Sequence, residues 1–293
     1  MQELYDLYKR NFPFCVRAES AVRRLLNAGT VLEERTGAGK LIGAAVLDEN
    51  NILMLCVDPP YRHRGIGSRL LEKSEQLVKS QEYSFLTVGA GRHYLMPGVP
   101  TDTMPVTESL LPAKLYDGLD NAAVEFFCKW GYRHNWDCNC FDMRLELAEF
   151  SVASEEGDVV YRWAKPEDLP AVICCTDDAH QEFSRYYQNG SLYTGFGDQR
   201  VLIAETDGRA AGALIVSFET EGKGLGSVGC TAVSHGYRGQ HIGMNLVIHG
   251  TEKLKDAGLE HAFLGYTYSG LDRMYGHAGY QICVYYFMAQ KDL

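Results

Sequence analysis

Apolar and polar positions along the chain fall into blocks whose periods name the elements they form. Residues 2–27 place apolar side chains at helical spacing, interrupted at Pro13. Gly29 to Glu34 reads as a strand and Thr36 to Gly39 as a turn. Leu41 to Leu47 is an apolar strand, Asp48 to Asn51 a second turn, and Ile52 to Val57 a third strand. This antiparallel meander ends in Asp58-Pro59-Pro60. From Ser68 to Ser80, Leu70, Leu71, Leu77 and Val78 recur at helical spacing. Ser84 to Val88 is a further strand, and residues 89–120, rich in Gly and Pro, read as irregular. A helix from Asn121 to Trp130 is stopped by Gly131, and strand-like residues continue to Leu147.

The same order then recurs. Val159 to Trp163 is a strand and Pro166 to Tyr187 reads as helical. Val201 to Thr206, the Asp207-Gly208 turn and Ala211 to Phe218 form a hairpin. Val228 to Val233 is a strand, Met244 to Ala257 a helix closed by Gly258, and Ala262 to Tyr266 another strand. Leu271 to His277 is a short helix and Ile282 to Ala289 a last strand. A repeated unit of this size marks two copies of one fold. The acidic stretch Ser154 to Asp158 is the natural linker, which gives domains 1–150 and 151–293.

Composition narrows the class. In 293 residues, 46% apolar content supplies each half with a core, and 23% charged content argues against disorder. The net charge of −10 disfavours nucleic acid, whose phosphates call for Lys/Arg stripes, and suits a cationic small molecule such as an amine. The nine cysteines include no C-x-x-C pair, so no metal is expected, and reduced thiols in a cytoplasmic protein are the plain reading. The first residues lack the basic and apolar regions of a signal peptide. No segment approaches the roughly 20 apolar residues of a membrane span.

The most informative segment is Val57-Asp-Pro-Pro-Tyr-Arg-His-Arg-Gly-Ile-Gly-Ser68, where a strand ends, the chain turns and a helix begins. Gly65 and Gly67 allow close approach of a ligand to the backbone. Free N–H groups at the helix start, its dipole, and Arg62, His63 and Arg64 together make an anion cradle suited to a pyrophosphate. A P-loop would need Gly-Lys-Ser/Thr, and Ser68 follows Gly67 without the lysine. A Rossmann fingerprint would need three glycines in a βαβ unit, and antiparallel strands precede this loop.

Arg62-His-Arg-Gly65-Ile-Gly67, with its lead-in Val57-Asp58-Pro59, resembles motif A of the GNAT acetyltransferases. The resemblance implies an α/β fold of two tandem GNAT domains, each a mixed, mostly antiparallel sheet flanked by helices. It implies acetyl-CoA as co-substrate, with the backbone amides of Arg62, His63, Arg64, Gly65, Ile66, Gly67 and Ser68 at the pyrophosphate. The strand residues Leu55, Cys56 and Val57 would pair with the pantetheine arm beside a splay that admits the thioester. The second copy has Arg238 and Gly243 at matching places, but His241 stands where the first has Gly65. Its loop is therefore either a weaker cradle or one that keeps only the fold. The first copy lacks an initial strand, which implies one lent from elsewhere in the chain.

Acetyl transfer to an amine needs a base for the amine and an acid for the leaving thiolate. The family often uses a Tyr four residues before a Gly-Phe/Tyr pair. Tyr275 precedes Gly279-Tyr280 at that spacing, whereas the first copy has Phe127 before Gly131-Tyr132. Tyr275 reads either as the acid or as a core aromatic. The span between the second loop glycine and the helix-ending glycine is about 28 residues longer in the first copy. This insertion begins at Gly91-Arg-His-Tyr, and long irregular loops in compact domains are often functional. His93 and Tyr94 are thus candidate proton carriers, acceptor contacts or loop packing. The expected function is N-acetylation of a small amine-bearing metabolite, with an amino sugar or aminoglycoside as first choice. The alternatives are acylation of an amino acid or thiol precursor, and a non-catalytic acyl-CoA sensor.

Overall fold

In a computed structural model, residues 1–89, 93–154, 157–181, 183–218 and 224–293 are described. Gly91 and Arg92 of the long insertion and Glu155 and Glu156 of the linker lie outside them. The chain divides into two compact units. The first comprises residues 1–108, 115–141 and 284–293; the second comprises 109–114 and 142–283.

The first unit begins with α1 (Gln2–Asn11) and α2 (Glu19–Ala28), followed by the meander β1 (Thr30–Arg35), β2 (Leu41–Asp48) and β3 (Asn51–Val57). Then come α3 (Ile66–Ser80), β4 (Phe85–Val88), β5 (Val99–Thr101), α4 (Ala122–Lys129) and β6 (Arg133–His134). β2 is buried on both faces, which explains its unbroken apolar run. One face, through Ala44, Val46, Met54 and Cys56, receives Leu4, Leu7, Tyr8, Val22 and Leu26 of the first two helices. The other, through Ile42, Ala45, Leu47 and Ile52, receives Leu70, Leu71 and Val78 of α3 and Phe127 of α4. Each such side chain, fully buried, contributes about 1.5–3 kcal/mol.

The second unit contains β8 (Val160–Trp163), α5 (Leu169–Ala179), β9 (Gln199–Thr206), β10 (Arg209–Phe218), β11 (Leu225–Val233), α6 (Ile242–Asp256), β12 (His261–Tyr268) and α7 (Asp272–His277). Two strands cross the boundaries of the repeats. β7 (Cys140–Glu146), which closes the first repeat in sequence, lies beside β12 in the order β13-β7-β12-β11-β10-β9-β8, where β13 is Gln281–Phe287. The last strand, β14 (Ala289–Asp292), belongs to the first unit, whose order is β1-β2-β3-β4-β14-β6. The lent strand therefore stands beyond β4, and β1 opens the sheet.

Two segments depart from the sequence pattern. The helix expected over Pro166–Tyr187 ends at Ala179, because His180 is extended (φ −162°, ψ 131°). A short 3-10 turn follows, and it lowers Tyr187 into the core, where its hydroxyl donates to the Cys230 carbonyl. The apolar run Ile282–Ala289 splits at Met288 into β13 and β14. Met288 N–H donates to His134 Nδ1 at 3.0 Å, and Asn135 N–H donates to Met288 O at 2.9 Å, so both backbone groups of the joint are held by the β6 end. Residues 89–120, read as irregular, contain β5, which pairs with Tyr285–Phe287.

β14 is fixed by its ladder to β4 and by Lys291 Nζ, which donates to both oxygens of the buried Glu75 carboxylate at 2.8 and 2.9 Å. Lys291→Ala leaves that buried carboxylate without its cation, and urea unfolding should show a loss of about 3 kcal/mol. Burial lowers the His134 pKa below its ordinary 6.5. The folded protein thus favours the neutral ring whose Nδ1 accepts from Met288. The unfolded chain takes up the proton first as pH falls. The stability from this group is complete above pH 6.5 and lost below it. Unfolding free energies measured from pH 8 to 5 should show this slope, and His134→Asn should reduce it.

Candidate active site

In the first unit β3 and β4 pair in parallel only at Asn51↔Thr87 and Ile52↔Val88, with Gly89 N–H donating to Ile52 O at 3.1 Å. Beyond that point β3 runs on to Val57 while β4 has ended, so the two strands part. The register of β2 with β3 shifts between Val46 and Leu47, which leaves Leu53 as an extra residue. That bulge sets which backbone groups face the gap. Asp58 N–H donates to Ile42 O, toward β2. By alternation, the main-chain groups of Leu55 and Val57 point away from β2 and into the gap, and those of Cys56 point toward β2.

The chain leaves β3 through buried Asp58, which binds Arg10 Nε at 2.9 Å, and through a 3-10 turn, Pro59–Tyr61. His63 and Gly65 both take left-handed backbone angles (φ 59° and 74°), and α3 starts at Ile66 with no side chain capping it. The first N–H groups of α3 are therefore available to an anion. A Cβ on Gly65 would find only Arg69 Nη1, at 3.5 Å. One on Gly67 would meet Phe126 and Val57 at ordinary contact distances of 3.6 and 3.9 Å. Packing does not require glycine at 67; what the small residue preserves is the concavity itself. Residues 62–68 and the gap-facing groups of β3 fit a pyrophosphate with an extended amide-bearing arm. Of the two arginines in the loop, Arg62 is engaged within the protein: Nε donates to Val57 O at 3.0 Å and Nη2 to Asn11 Oδ1 at 2.9 Å. The Arg64 guanidinium lies 5.6 Å from the Tyr61 ring centre.

The second unit repeats the construction. β11 pairs with β12 only from Leu225↔His261 to Ser227↔Phe263, and then parts from it. A bulge follows: the register with β10 shifts between Ala213 and Ile215, and Cys230 takes φ 52°. His241 occupies the Gly65 place with the same left-handed backbone, φ 59°, and starts α6 without a side-chain cap. Arg238 repeats the Arg62 contacts, donating from Nε to Val233 O at 3.3 Å and from Nη2 to Ala179 O at 2.6 Å.

A two-copy strand–turn–helix cradle, each beside parting parallel strands, is the geometry that decides the family. The sequence pattern of the acetyltransferase (GNAT) family matches residues 1–95 and 158–280. The chain belongs to the GNAT acetyltransferase family. It is a tandem GNAT protein, with two mixed sheets flanked by helices. Solved structures agree in fold. The glucosamine N-acetyltransferase region of a fungal multi-domain GH3 β-N-acetylglucosaminidase superposes with a TM-score of 0.74 at 20% identity, covering 99% of this chain. This chain spans only 36% of that fungal protein. A tandem GNAT protein from the clavulanic acid biosynthesis pathway gives 0.70 at 17% identity, covering 99% of this chain and 94% of that one. A GCN5-related N-acetyltransferase from Sphaerobacter thermophilus gives 0.70 at 17%, covering 99% and 91%. No curated protein matches the sequence.

The candidate proton carriers of this tandem GNAT lie in different surroundings. His93 is exposed, and its Nδ1 is 2.8 Å from Oδ2 of Asp48, the last residue of β2. Its carbonyl, with that of Gly89, accepts from Asn51 Nδ2 at 3.0 and 2.9 Å, which holds the insertion against the start of β3. The half-buried Tyr94 carries the Arg17 guanidinium over its ring, 4.8 Å from the centre, while buried Leu95 joins the α1–α2 core. Phe127 is buried against Tyr132 and offers no hydroxyl. In the second unit, the Tyr275 hydroxyl is 3.3 Å from Thr231 Oγ1, on the part of β11 that faces the gap. Burial pushes its pKa above the ordinary 10. Tyr275 stands on α7 beneath the far part of the insertion. Leu111 N–H donates to Asp272 Oδ2 at 3.4 Å, and Ala113 bridges Ile282. Residues 109–114 thus belong to the second unit, although the insertion sits in the first repeat. Asp48 and Thr231 were not singled out from the sequence, since a turn Asp and a strand Thr carry no signal until the fold supplies their partners.

The two loop glycines should respond oppositely to alanine. Gly65→Ala puts a side chain into a left-handed conformation and should lower unfolding free energy by about 1 kcal/mol. Gly67→Ala enters a helix where its methyl has room, and should raise it by about 0.5 kcal/mol. Urea titration of both variants measures the two signs.

Proposed function

We propose that this tandem GNAT protein is an acetyl-CoA-dependent N-acetyltransferase acting on the amine of a small metabolite, with an amino sugar as the favoured class. One observation carries the reading: the left-handed loop closing on α3, directly after a strand that has parted from its parallel neighbour and turns the Leu55 and Val57 backbone into the gap. Residues 62–68 would hold the pyrophosphate, and Leu55 to Val57 the arm. Bound there, the co-substrate supplies an acetyl group as a thioester. The likeness to a fungal glucosamine N-acetyltransferase region and the acidic surface support the amino sugar. The nine unpaired cysteines support a cytoplasmic setting. Among the described residues, no helix is long and apolar enough to cross a membrane.

In the first unit, His93 is the base we favour. Asp48 orients the ring through Nδ1, which leaves Nε2 to take a proton from the incoming ammonium. Tyr94, beside it, is an acceptor contact. A second reading rests on Tyr275. Its raised pKa keeps the phenol protonated at neutral pH, as an acid must be, and it faces Thr231 in the second gap. On that reading the second unit performs the transfer.

Calorimetry with acetyl-CoA should give about one strong site, because the His241 side chain crowds the approach that Gly65 leaves open. Gly67→Val should abolish it, and two equal sites would overturn the assignment to the first loop. Release of CoA thiol with glucosamine as acceptor then separates the readings. His93→Ala should lower kcat by about a hundredfold with donor affinity unchanged. If Tyr275→Phe does so instead, the second unit is the catalyst. Since a raised pKa postpones loss of the acidic proton, the alkaline limb due to Tyr275 would then lie above pH 10 and vanish in Tyr275→Phe. Binding without thiol release for any amine in a panel would make the protein a sensor.

A further inference from the structure

The arginine that opens the glycine motif makes the same two bonds in both units. Arg62 Nε donates to the carbonyl of Val57, the last residue of β3, and Nη2 reaches Asn11, the last residue of α1, 51 positions away. Arg238 Nε donates to the carbonyl of Val233, the last residue of β11, and Nη2 reaches the carbonyl of Ala179, the last residue of α5, 59 positions away. The acceptor at the helix end differs, a side-chain oxygen in one unit and a main-chain carbonyl in the other. The tie between strand end and helix end is the same. In the first unit Asn11 is itself held, through Nδ2 to Leu7 O at 2.9 Å. The recurrence in two loops that differ at the next motif position, Gly65 against His241, separates this tie from the glycine's role.

The Val57 carbonyl points into the gap, because Asp58 N–H points the other way, toward Ile42. Arg62 therefore occupies one of the backbone groups to which an extended ligand could pair. Both the Nε and the Nη2 edges of the guanidinium are used within the protein.

We propose that Arg62 is a positioning residue for acyl-CoA and not a charge for its phosphates. It caps the last gap-facing carbonyl of β3 and fastens the strand end to α1. That fixes the direction of the free N–H groups at residues 65–68. It also restricts pairing by the amide-bearing arm to the Leu55 main chain and the Val57 N–H. The inference rests on the first loop being the donor site.

The test uses the full chain, acetyl-CoA as probe, and three substitutions: Arg62→Ala, Arg62→Gln and Arg62→Lys. Glutamine keeps a planar donor that can cap Val57 and loses the charge; lysine keeps the charge and loses the fork. Positioning predicts that Arg62→Ala weakens acetyl-CoA binding about tenfold or more. Arg62→Gln should stay within about threefold of wild type, with an unchanged dependence of Kd on salt. In ligand-free protein, 15N relaxation should show added backbone motion at residues 63–68 in Arg62→Ala and wild-type order in Arg62→Gln. A charge role predicts the reverse: Arg62→Lys like wild type, Arg62→Gln as weak as Arg62→Ala, and a shallower salt dependence in both. That result overturns the proposal, as does an Arg62→Ala that binds normally. If Arg62→Ala does not fold, the Gln and Lys variants alone decide. Failure of wild type to bind acetyl-CoA would overturn the donor-site reading and this inference with it. Binding by wild type with charge-following variants overturns this inference only.

Discussion

Backbone groups that a strand turns away from its neighbours must find a partner, and in this protein one interruption decides which groups those are. β3 keeps company with β4 for two residues and then continues alone. A single extra residue, Leu53, changes the phase of the strand, so the groups from Leu55 onward face the space where β4 would have been. Without it, Val57 would face β2, Arg62 would have no carbonyl to reach, and the turn into α3 would leave the strand on its other side. The same device, with Cys230 in a left-handed conformation, recurs in β11. A residue other than glycine held at φ 52° is strained by about 1–3 kcal/mol, and such strain persists only where the surroundings over-determine it. Here Tyr187 does so, by bonding the Cys230 carbonyl from a fully buried position.

The order of cause differs between the two gaps. In the first, the glycine at 65 lets the loop close with no steric cost, and the exposed surface of the loop is left bare of side-chain caps. In the second, the loop closes just as tightly around His241, so the backbone does not depend on the glycine. What glycine adds is room. The two units therefore differ in what can approach their loops, while agreeing in how the loops are built. The candidate proton carriers diverge as well: an imidazole beside the carboxylate at the end of β2 in one, and a buried phenol beside a strand hydroxyl in the other.

Much of this was legible in the chain because the signals are local. Glycines between a strand and a helix, a meander of apolar strands and a repeat of the same order need no knowledge of partners, and the resemblance of residues 62–67 to motif A implied the tandem GNAT fold. The helix that ends at Ala179 was not legible. Its sequence carries helical spacing to Tyr187, whereas His180 is extended and Tyr187 goes on to bond the distant Cys230. The division at Met288 was hidden for a similar reason, since Ile282 to Ala289 is one apolar run, and the partner that divides it, His134, lies 154 residues earlier. The engagement of Arg62 was equally invisible: a basic residue in a phosphate loop reads as a free charge until Asn11 is placed beside it.

The last strand of the chain lies in the first unit, and this has a consequence for how the molecule is made. The residues of β1 to β4 leave the ribosome long before Ala289 to Asp292 exist. At about 5–20 residues per second, the interval between β6 and β14 lasts on the order of ten seconds. Throughout it, β4 presents an unpaired edge next to an apolar core, and only the synthesis of Ala289 to Asp292 supplies the strand that covers it. The nascent first repeat thus remains an incomplete sheet, with an open edge prone to wrong pairing, until residues 289–292 have emerged.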